Sequence, residues 1–442
     1  MGKTKLAKTP ERPVNALIGK NSLMLFLLCL TYALSYFDRM LMVVLGELVK
    51  QEFALSDKQL SLLTGASFAI MYGACAIAAG WLVDRYNRKR ILAWSLSLWS
   101  VATMACGMAG SFVQLAAARA AVGVGEAANV PVAMSMISDI YKAAKRPMAT
   151  ALFFSGGMAS VLASFAFGSW VAEHYGWRMA FLWAGPPGFI LALLIIFFTR
   201  EPDREAAPAS SDDGSTPTNQ NGFRLILNNP ALVWLLLAGG IGGFTSVGMI
   251  QWLPIFFIRS HGLSQADIGT LFGPVMAVAM TGGMLAGGWI GNRIAAKSVQ
   301  GLIQLCIGAM LLIAPLYLSA LWVSSVALSL VFTFLGTALS VAYSPCFSAA
   351  WQTICDPRAR GIAGGITAFG SILLGGALCT FIIGALSDYW SSTMGSESLR
   401  YAVSVGTAVF CVLTAIFFFI SMKLQTRSSL RVRQHNSPRV DP

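Results

Sequence analysis

Two copies of one hexapeptide, Gly80-Trp81-Leu82-Val83-Asp84-Arg85 and Gly288-Trp289-Ile290-Gly291-Asn292-Arg293, decide the fold. They lie 208 residues apart, and the same offset carries Leu55-Ser56 onto Leu263-Ser264 and Gly65 onto Gly273 without a gap. A shared start, middle and end of two apolar runs is hard to obtain by chance. The chain is therefore predicted to consist of two halves of like architecture, arranged as parallel repeats.

The composition is that of a membrane protein. Of the 442 residues, 56% are hydrophobic and 11% charged, whereas roughly a quarter of the residues are charged in soluble domains. We predict twelve membrane spans, at about 22–46, 57–82, 91–110, 113–139, 147–171, 179–198, 231–257, 265–290, 301–321, 323–351, 361–386 and 401–422. The predicted fold class is all-α, with twelve transmembrane helices in two pseudo-symmetric six-helix bundles.

The polar segments divide the chain. We predict a cytoplasmic N-terminal tail (1–20), a six-helix bundle (21–199), a cytoplasmic linker (200–224), a second six-helix bundle (225–422) and a basic cytoplasmic tail (423–442). The linker is rich in Pro, Ser and Asp, so it has little apolar surface to bury and should be flexible. The tail is expected to be disordered.

The positive charges predict the orientation. With a cytoplasmic N-terminus, 24 of the 31 Lys and Arg residues lie on that side. Basic loops stay in the cytoplasm, so both termini are predicted to be cytoplasmic. The net charge of +12 then follows from topology and contact with anionic membrane lipids, and no nucleic-acid partner is expected.

The sequence does not predict an enzyme. The eight cysteines lie in or at the ends of apolar runs without metal-ligand spacing, and the three histidines lie outside the predicted spans. The motifs HExxH and GxSxG are absent. No metal or cofactor is expected, and we expect a monomer. Two related six-span halves favour a secondary transporter that works by alternating access over a passive channel.

Four ionisable residues lie inside apolar spans: Asp38 and Arg39 in span one, Arg119 and Glu126 in span four. Each would cost several kcal/mol facing lipid, so each should face a cavity or a partner. Arg119 and Glu126 are two helical turns apart and share a face, and Asp38 lies between them in depth. We expect these three to meet, either as a static ion pair or as a transport site.

The transport interpretation assigns a role to each charge. A carboxyl group shielded from water favours its protonated form, and a nearby arginine favours its charged form. Asp38 and Glu126 are therefore predicted to exchange protons. Arg119, and with it Arg39, is the candidate to bind an acidic head group through two parallel hydrogen bonds. Because adjacent residues point about 100° apart on a helix, Asp38 and Arg39 cannot both face the same way, and one should serve helix packing.

The second half has no equivalent charges, and Ser246 occupies the position equivalent to Asp38. Its spans offer neutral polar side chains at depth. Together with Tyr36 of the first half, Thr245, Gln251 and Tyr343 are our candidates for further substrate-binding residues. A cavity with one charged and one apolar wall suits an amphipathic solute.

The segment from Gly80 to Arg90 resembles the signature loop of the major facilitator superfamily, with Asn87 in place of the usual glycine. In that superfamily the aspartate caps a neighbouring helix and the arginines close a cytoplasmic charge network. The resemblance implies a cytoplasmic gate formed by Gly80, Asp84, Arg85, Arg88 and Arg293. Asn292 replaces the aspartate in the second copy, which implies a weaker latch there.

A narrower resemblance is to spinster-type transporters, of bacterial type, which implies a location in the plasma (bacterial inner) membrane. It rests on Tyr36-Phe37-Asp38-Arg39, Leu55-Ser56-Asp57, Asp84-Arg85-Tyr86-Asn87-Arg88-Lys89 and the segment from Arg119 to Ala127. The family's solutes include lysophospholipids and sphingosine 1-phosphate. The resemblance implies a lysophospholipid-like solute and a proton pair, Asp38 and Glu126, with Arg119 as its switch partner.

Two alternatives stay open. One is a proton-coupled transporter of a small water-soluble organic anion, and the other is a multidrug exporter. Span five lacks the Gly-Pro motif typical of drug/proton antiporters, which lowers the weight of the second. The choice between symport and antiport, and the direction of transport, stay open too.

Overall fold

The computed structural model describes residues 14–142, 145–201, 219–295 and 298–436. Among these residues, eleven helical runs are long and apolar enough to cross a membrane: Ser22–Phe53, Asp57–Arg85, Arg88–Met108, Phe112–Ile140, Met148–Tyr175, Trp177–Phe198, Pro230–His261, Gln265–Ala295, Val299–Trp322, Val326–Ile354 and Arg360–Arg427. A 3₁₀ turn, Gly395–Glu397, separates Cys379–Met394 from Ser398–Asn436, so the last run holds two spans. The predicted all-α, twelve-span fold is confirmed.

The side chains are distributed as a bilayer requires. In span three, Trp94 is 77% exposed while Trp99 is fully buried. Polar residues such as Thr31, Ser164 and Thr380 are instead buried between helices, where their hydroxyls donate to carbonyl or amide oxygens. Helices suit this environment because all their backbone hydrogen bonds are made within the segment.

We call the membrane side where span one begins, at Ser22, the near face, and the side where it ends, at Phe53, the far face. Successive spans cross in opposite directions. Span two therefore begins at the far face, at Asp57, and span seven ends there, at His261. These two terms carry no assignment to cytoplasm or exterior.

The repeat predicted from the two hexapeptides is present in three dimensions. Ser56 opens span two with a capping box that includes Gln59, and Ser264 opens span eight with a capping box that includes Asp267. At the other ends of these spans, the guanidinium carbon of Arg85 lies 4.2 Å from the ring centre of Trp81, and that of Arg293 lies 3.5 Å from that of Trp289. Equivalent residues thus make equivalent contacts in the two halves.

Within the described residues, four π-helical turns interrupt spans two, seven, eight and eleven: Leu62–Ala66, Phe244–Gly248, Ile268–Phe272 and Ser371–Leu378. Turns of this kind widen the backbone spiral locally and are frequent at functional sites. All four spans face the opposite half, because span two packs on span eleven, span eight packs on span five and span seven packs on span one.

Gly65 and Gly376 allow one of these close contacts. A Cβ atom at Gly65 would lie 2.7 Å from the carbonyl oxygen of Gly376, so the backbones of spans two and eleven touch there. Gly273 is the repeat equivalent of Gly65, and a Cβ atom there would lie 2.6 Å from Cβ of Phe165 in span five. The repeated glycine therefore serves the same purpose at both crossings between the halves.

The polar segments differ from the prediction in part. The helix Asn219–Leu227 begins inside the stretch predicted as a flexible linker, and span twelve continues as a helix to Asn436, through most of the tail predicted to be disordered. The first helix begins at Val14, before the predicted end of the N-terminal tail. The remaining parts of these predictions, residues 1–13, 202–218 and 437–442, lie outside the described residues.

Candidate functional site

A cavity of about 230 Å³ lies between the two halves. Its walls are formed by Tyr32, Tyr36, Arg39, Met40, Val43, Thr64, Gly65, Phe68 and Arg119 of the first half and by Val247, Ile250, Gln251, Ile372 and Gly376 of the second. Of these lining residues, the two that carry a charge belong to the first half. The cavity therefore has one charged wall and one uncharged wall.

Arg39 and Glu126 form the ion pair of the charged wall. Arg39 Nη2 lies 2.7 Å and Nε 2.8 Å from Glu126 Oε2, and Ser35 donates to the same oxygen at 2.6 Å. The other carboxyl oxygen, Oε1, is buried without a hydrogen-bond partner among the described residues. The hydrogen bonds described for the Glu126 carboxyl group thus all go to one of its two oxygens.

The sequence analysis gave Glu126 a different partner, Arg119. The structure pairs Glu126 with Arg39 because Ser35 and Arg39 are one turn apart and face span four together. Arg119 lies two turns from Glu126, about 10 Å along the helix. Arg119 Nη1 lies 3.5 Å from the main-chain oxygen of Asp38, so the three residues lie in one region, and the structure adds Arg39 as the partner of Glu126.

Asp38 points away from Arg39, as adjacent helical positions require. Its Oδ2 accepts a hydrogen bond of 3.0 Å from Thr103 in span three, and its Oδ1 has no partner among the described residues. Asp38 is 1% exposed. It therefore lies behind the cavity wall, against span three.

Arg119 has few hydrogen-bond partners within the described residues. Its Nη1 lies 3.5 Å from the main-chain oxygen of Asp38, at the limit of a hydrogen bond, and its Nε has no partner within the described part of the chain. The side chain is 1% exposed, yet it lines the cavity. A buried guanidinium in this state has hydrogen-bonding capacity left for an anion.

Aromatic rings support both arginines. The guanidinium carbon of Arg39 lies 4.7 Å from the ring centre of Phe68 and 4.9 Å from that of Tyr72. The guanidinium carbon of Arg119 lies 5.6 Å from the same Phe68 ring. The sequence analysis did not select Phe68, since a phenylalanine in an apolar span carries no distinguishing signal.

Gln251 is the polar group of the uncharged wall. Its Nε2 donates to the carbonyl oxygen of Gly376 at 3.0 Å, while its buried Oε1 has no partner among the described residues. Tyr36 lines the cavity from the first half. Both residues thus lie where the sequence analysis expected a substrate.

Thr245 and Tyr343 lie elsewhere, contrary to expectation. The Thr245 hydroxyl donates to the carbonyl oxygen of Gly242 in its own helix at 2.9 Å, so it is already satisfied. Tyr343 is buried within the second half and lines a separate apolar cavity of about 280 Å³ together with residues of spans eight and nine. The rotation of spans seven and ten, which the sequence did not determine, turns both side chains away from the interface.

The residues of the predicted gate lie at the near face. Asp84, Arg85 and Arg293 are exposed, and Gly80 is half-buried in the last turns of span two. Arg88 is 1% exposed and binds Glu201 through Nε at 2.8 Å and Asp139 through Nη1. The bonds described for Arg88 thus link the start of span three to the ends of spans four and six, all within the first half.

A polar cluster at the far face joins the halves and was missed by the sequence analysis. Arg259 of span seven binds Glu47 at 2.7 Å and Asp57 at 2.9 Å. Asp57 also accepts from Lys50 at 2.5 Å and from Ser387 of span eleven at 2.6 Å. We call Glu47, Lys50, Asp57, Arg259, Ser387 and Asp388 the far-face latch.

Asp388 completes the latch by capping a helix of the other half. Its Oδ1 accepts from the backbone N–H of Asp57 at 2.7 Å and its Oδ2 from that of Lys58 at 2.9 Å. Both N–H groups belong to the first turn of span two, where the helix itself supplies no acceptor. The signal for the latch was the placement of acidic and basic residues at span ends, which the sequence analysis used only to assign topology.

The described residues offer no place for a metal. In the four described ranges, no group of three or more His, Cys, Asp or Glu side chains is positioned to bind an ion. Two six-span halves that enclose a charged cavity, closed at one membrane face and related by an internal repeat, define a membrane transporter.

Comparison with known proteins gives the family. The sequence profile of the Major Facilitator Superfamily matches residues 28–380, so the chain belongs to this superfamily of transporters and is not an enzyme. It is 27% identical over 397 residues to an MFS-type efflux pump of Mycolicibacterium smegmatis, covering 89% of this chain and 91% of the pump. It is also 27% identical over 420 residues to Protein spinster homolog 1 of Xenopus tropicalis, covering 87% of this chain and 78% of that protein.

The fold has a solved counterpart. A bacterial homolog to the human lysosomal transporter Spinster, in an inward-facing and unoccupied conformation, superposes with a TM-score of 0.82, covering 92% of this chain and 97% of the other. Sequence identity between the two is 24%. The resemblance to the major facilitator superfamily and to spinster proteins is confirmed.

Proposed function

We propose that this protein is a proton-linked secondary transporter of an amphipathic, anionic or zwitterionic lipid-like solute of the lysophospholipid class. The observation that carries the proposal is Arg119, a guanidinium that is 1% exposed, lines the cavity and has an unpartnered Nε. A permanently charged group with spare hydrogen-bonding capacity in an apolar setting favours an anionic ligand. A phosphate or carboxylate head group supplies the missing acceptors.

The second wall supports the amphipathic part of the proposal. Val247, Ile250 and Ile372 face the arginines across the cavity, and Gln251 offers one unpaired oxygen there. A head group bound to Arg119 would place its alkyl chain against these apolar side chains. The cavity is slightly smaller than the pockets of drug-sized ligands, ~300 Å³ or more, so it suits a head group and the first carbons of a chain.

Glu126 supports the link to protons. Its Oε1 is unpartnered while its Oε2 is bound by Arg39. Protonation of Glu126 would cancel the charge that attracts Arg39 and release that guanidinium to the solute. Asp38, with an unpartnered Oδ1 in the next layer behind the cavity, is the second proton site of the proposal.

The orientation belongs to the same proposal. The excess of Lys and Arg at the near face supports a cytoplasmic near face with both termini on that side, and the proposed location is the plasma membrane of a bacterium. The far-face latch then closes the exterior side. Gly80, Asp84, Arg85, Arg88 and Arg293 form the cytoplasmic gate that closes when the latch opens. A monomer suffices for this cycle, since both walls of the cavity come from one chain.

A second candidate is the export of a foreign amphipathic compound. It is favoured by the similarity to the MFS-type efflux pump of Mycolicibacterium smegmatis, which covers 89% of this chain. The charged wall would still select anions, but the apolar wall would accept many shapes. The third candidate solute is a small water-soluble organic anion. Such a solute would make no use of the apolar wall.

Binding of a charged lysolipid and its uncharged analogue tests the proposal. Lysophosphatidic acid and the monoacylglycerol of the same chain length are titrated against purified protein, and a series of shorter acyl chains tests the apolar wall. We expect the phosphate to lower Kd at least tenfold in the wild type and to lose this advantage in Arg119→Ala. Arg178→Ala is the matched control, because Arg178 lies at the far face and pairs with Glu52.

The outcomes separate the candidates. Equal Kd values for the two lipids in the wild type would reject an anionic head-group site. Tight binding of short-chain and long-chain phosphates alike would favour the small organic anion. Competition by many unrelated amphipathic compounds at the same site would favour the exporter.

A further inference from the structure

One aromatic ring lies beside both arginines of the cavity. The Phe68 ring centre is 4.7 Å from the guanidinium carbon of Arg39 and 5.6 Å from that of Arg119, although these arginines belong to different spans. Phe68 itself lies on a third, span two, and its ring lines the cavity. The ring therefore contacts the two cations of the site at once.

The electrostatics of this contact are favourable. The face of an aromatic ring carries partial negative charge and attracts a cation within about 6 Å. A guanidinium that rests against a ring keeps the N–H groups at its edge free, and the edge is what binds a carboxylate or phosphate. Contact with Phe68 thus stabilises both charges without occupying the atoms that bind an anion.

The fold fixes the position of Phe68. Its side chain is 5% exposed and stacks on Tyr72, with ring centres 5.4 Å apart. A Cβ atom at Gly123 in span four would lie 2.6 Å from the main-chain oxygen of Phe68, so the two backbones touch. Gly123 is one turn from Arg119 on the same helix. The spacing between the Phe68 ring and Arg119 is therefore set by direct contact of two helices.

We propose that Phe68 is a positioning residue, which orients the guanidinium edges of Arg39 and Arg119 toward one point in the cavity. This role rests on the proposed function. It means that the affinity for an anionic head group depends on Phe68, whose side chain has no polar atom. Tyr72 provides a comparison with Phe68, because the cation–π contact described for its ring is to Arg39, at 4.9 Å.

The test compares Phe68→Leu, Phe68→Tyr and Tyr72→Leu with the wild type, using lysophosphatidic acid and the monoacylglycerol of equal chain length as probes. We expect Phe68→Leu to raise Kd for lysophosphatidic acid about tenfold, the loss of two cation–π contacts. Kd for the monoacylglycerol should rise much less, because its neutral head group does not use the guanidinium edges. Phe68→Tyr, which keeps the ring, should restore the phosphate preference, and Tyr72→Leu should have a smaller effect than Phe68→Leu.

Two results would reject the role of Phe68 while leaving the proposed function intact. One is unchanged or tighter binding of lysophosphatidic acid by Phe68→Leu. The other is an equal loss of affinity for both probes, which would show that Phe68 only shapes the cavity wall. If Phe68→Leu does not fold, Phe68→Met gives the same comparison with a flexible side chain of similar size. A wild type that does not prefer lysophosphatidic acid rejects the proposed function, and this inference with it.

Discussion

Arg259 and Asp57, from opposite halves of the molecule, are joined by two parallel hydrogen bonds of 2.9 Å, Nη1 to Oδ2 and Nη2 to Oδ1. This is the bidentate geometry in which a guanidinium binds a carboxylate most strongly. Arg259 Nη2 also donates to Glu47 at 2.7 Å. A single side chain of span seven thus ties spans one and two of the other half at the far face.

Arg259→Ala should therefore weaken the closed state of the far face. It leaves the carboxylates of Glu47 and Asp57 without this partner, at a cost between the ~1 kcal/mol of an exposed pair and the ~3 kcal/mol of a buried one. We expect spin labels at positions 51 and 389, both exposed near the far face, to show a larger population of long distances. Arg178→Ala, whose partner Glu52 lies in the same half, should leave the distances unchanged.

Asp388→Ala should act on the same equilibrium through the backbone. It removes the acceptor for the N–H groups of Asp57 and Lys58, and the loss of such a cap costs about 1 kcal/mol. The same distance measurement should show a smaller shift than Arg259→Ala. Asp388→Asn keeps one carbonyl oxygen and should fall between Asp388→Ala and the wild type. A full shift in Asp388→Asn would mean that charge, not capping, matters.

Gly65→Ala should prevent spans two and eleven from meeting. The added methyl group would lie 2.7 Å from the carbonyl oxygen of Gly376, closer than real contacts allow. We expect a lower melting temperature and reduced transport. Gly282→Ala is the matched control, since a Cβ atom there meets nothing within 4 Å. That change should be neutral or slightly stabilising, because alanine favours helix over glycine by up to ~1 kcal/mol.

Glu126→Gln should strengthen the binding of an anionic solute. The change removes the carboxylate charge that Arg39 binds through Nη2 and Nε, so this guanidinium becomes available to the anionic head group. Glutamine keeps a side-chain oxygen for the Ser35 hydroxyl, so the contact between spans one and four should be retained. Titration of lysophosphatidic acid against both proteins at one pH measures Kd, with the monoacylglycerol of equal chain length as the control. Weaker binding of lysophosphatidic acid by Glu126→Gln would mean that the ion pair with Glu126 positions Arg39 for the solute.

Much of the fold could be predicted from the sequence. The spans follow from the length of apolar runs, and the Ser56 capping box follows from a pattern of four residues. Both are local properties, fixed within a segment by hydrogen bonds that the segment makes with itself. The linker and tail were predicted less well, because the helices Asn219–Leu227 and Ser398–Asn436 extend through polar sequence.

The sequence predicted several residues of the candidate site but not how they pair. Arg39, Arg119, Tyr36 and Gln251 do line one cavity, but the partner of Glu126 is Arg39. Thr245 and Tyr343 face into the second half. These differences depend on the rotation of each span about its axis. Packing against neighbouring helices decides that rotation, and the sequence pattern of a single span does not predict it.

The sequence by itself determined that this chain crosses a membrane twelve times in two related halves, and which ionisable groups lie within the spans, because hydrocarbon tolerates only segments that satisfy their own backbone. The tertiary structure alone decided which of those groups meet: Arg39 with Glu126, Arg119 with the Phe68 ring, and Arg259 with Asp57. The last pair lies 202 positions apart. Such contacts arise from the packing of whole helices against one another. The sequence pattern within one helix does not specify them.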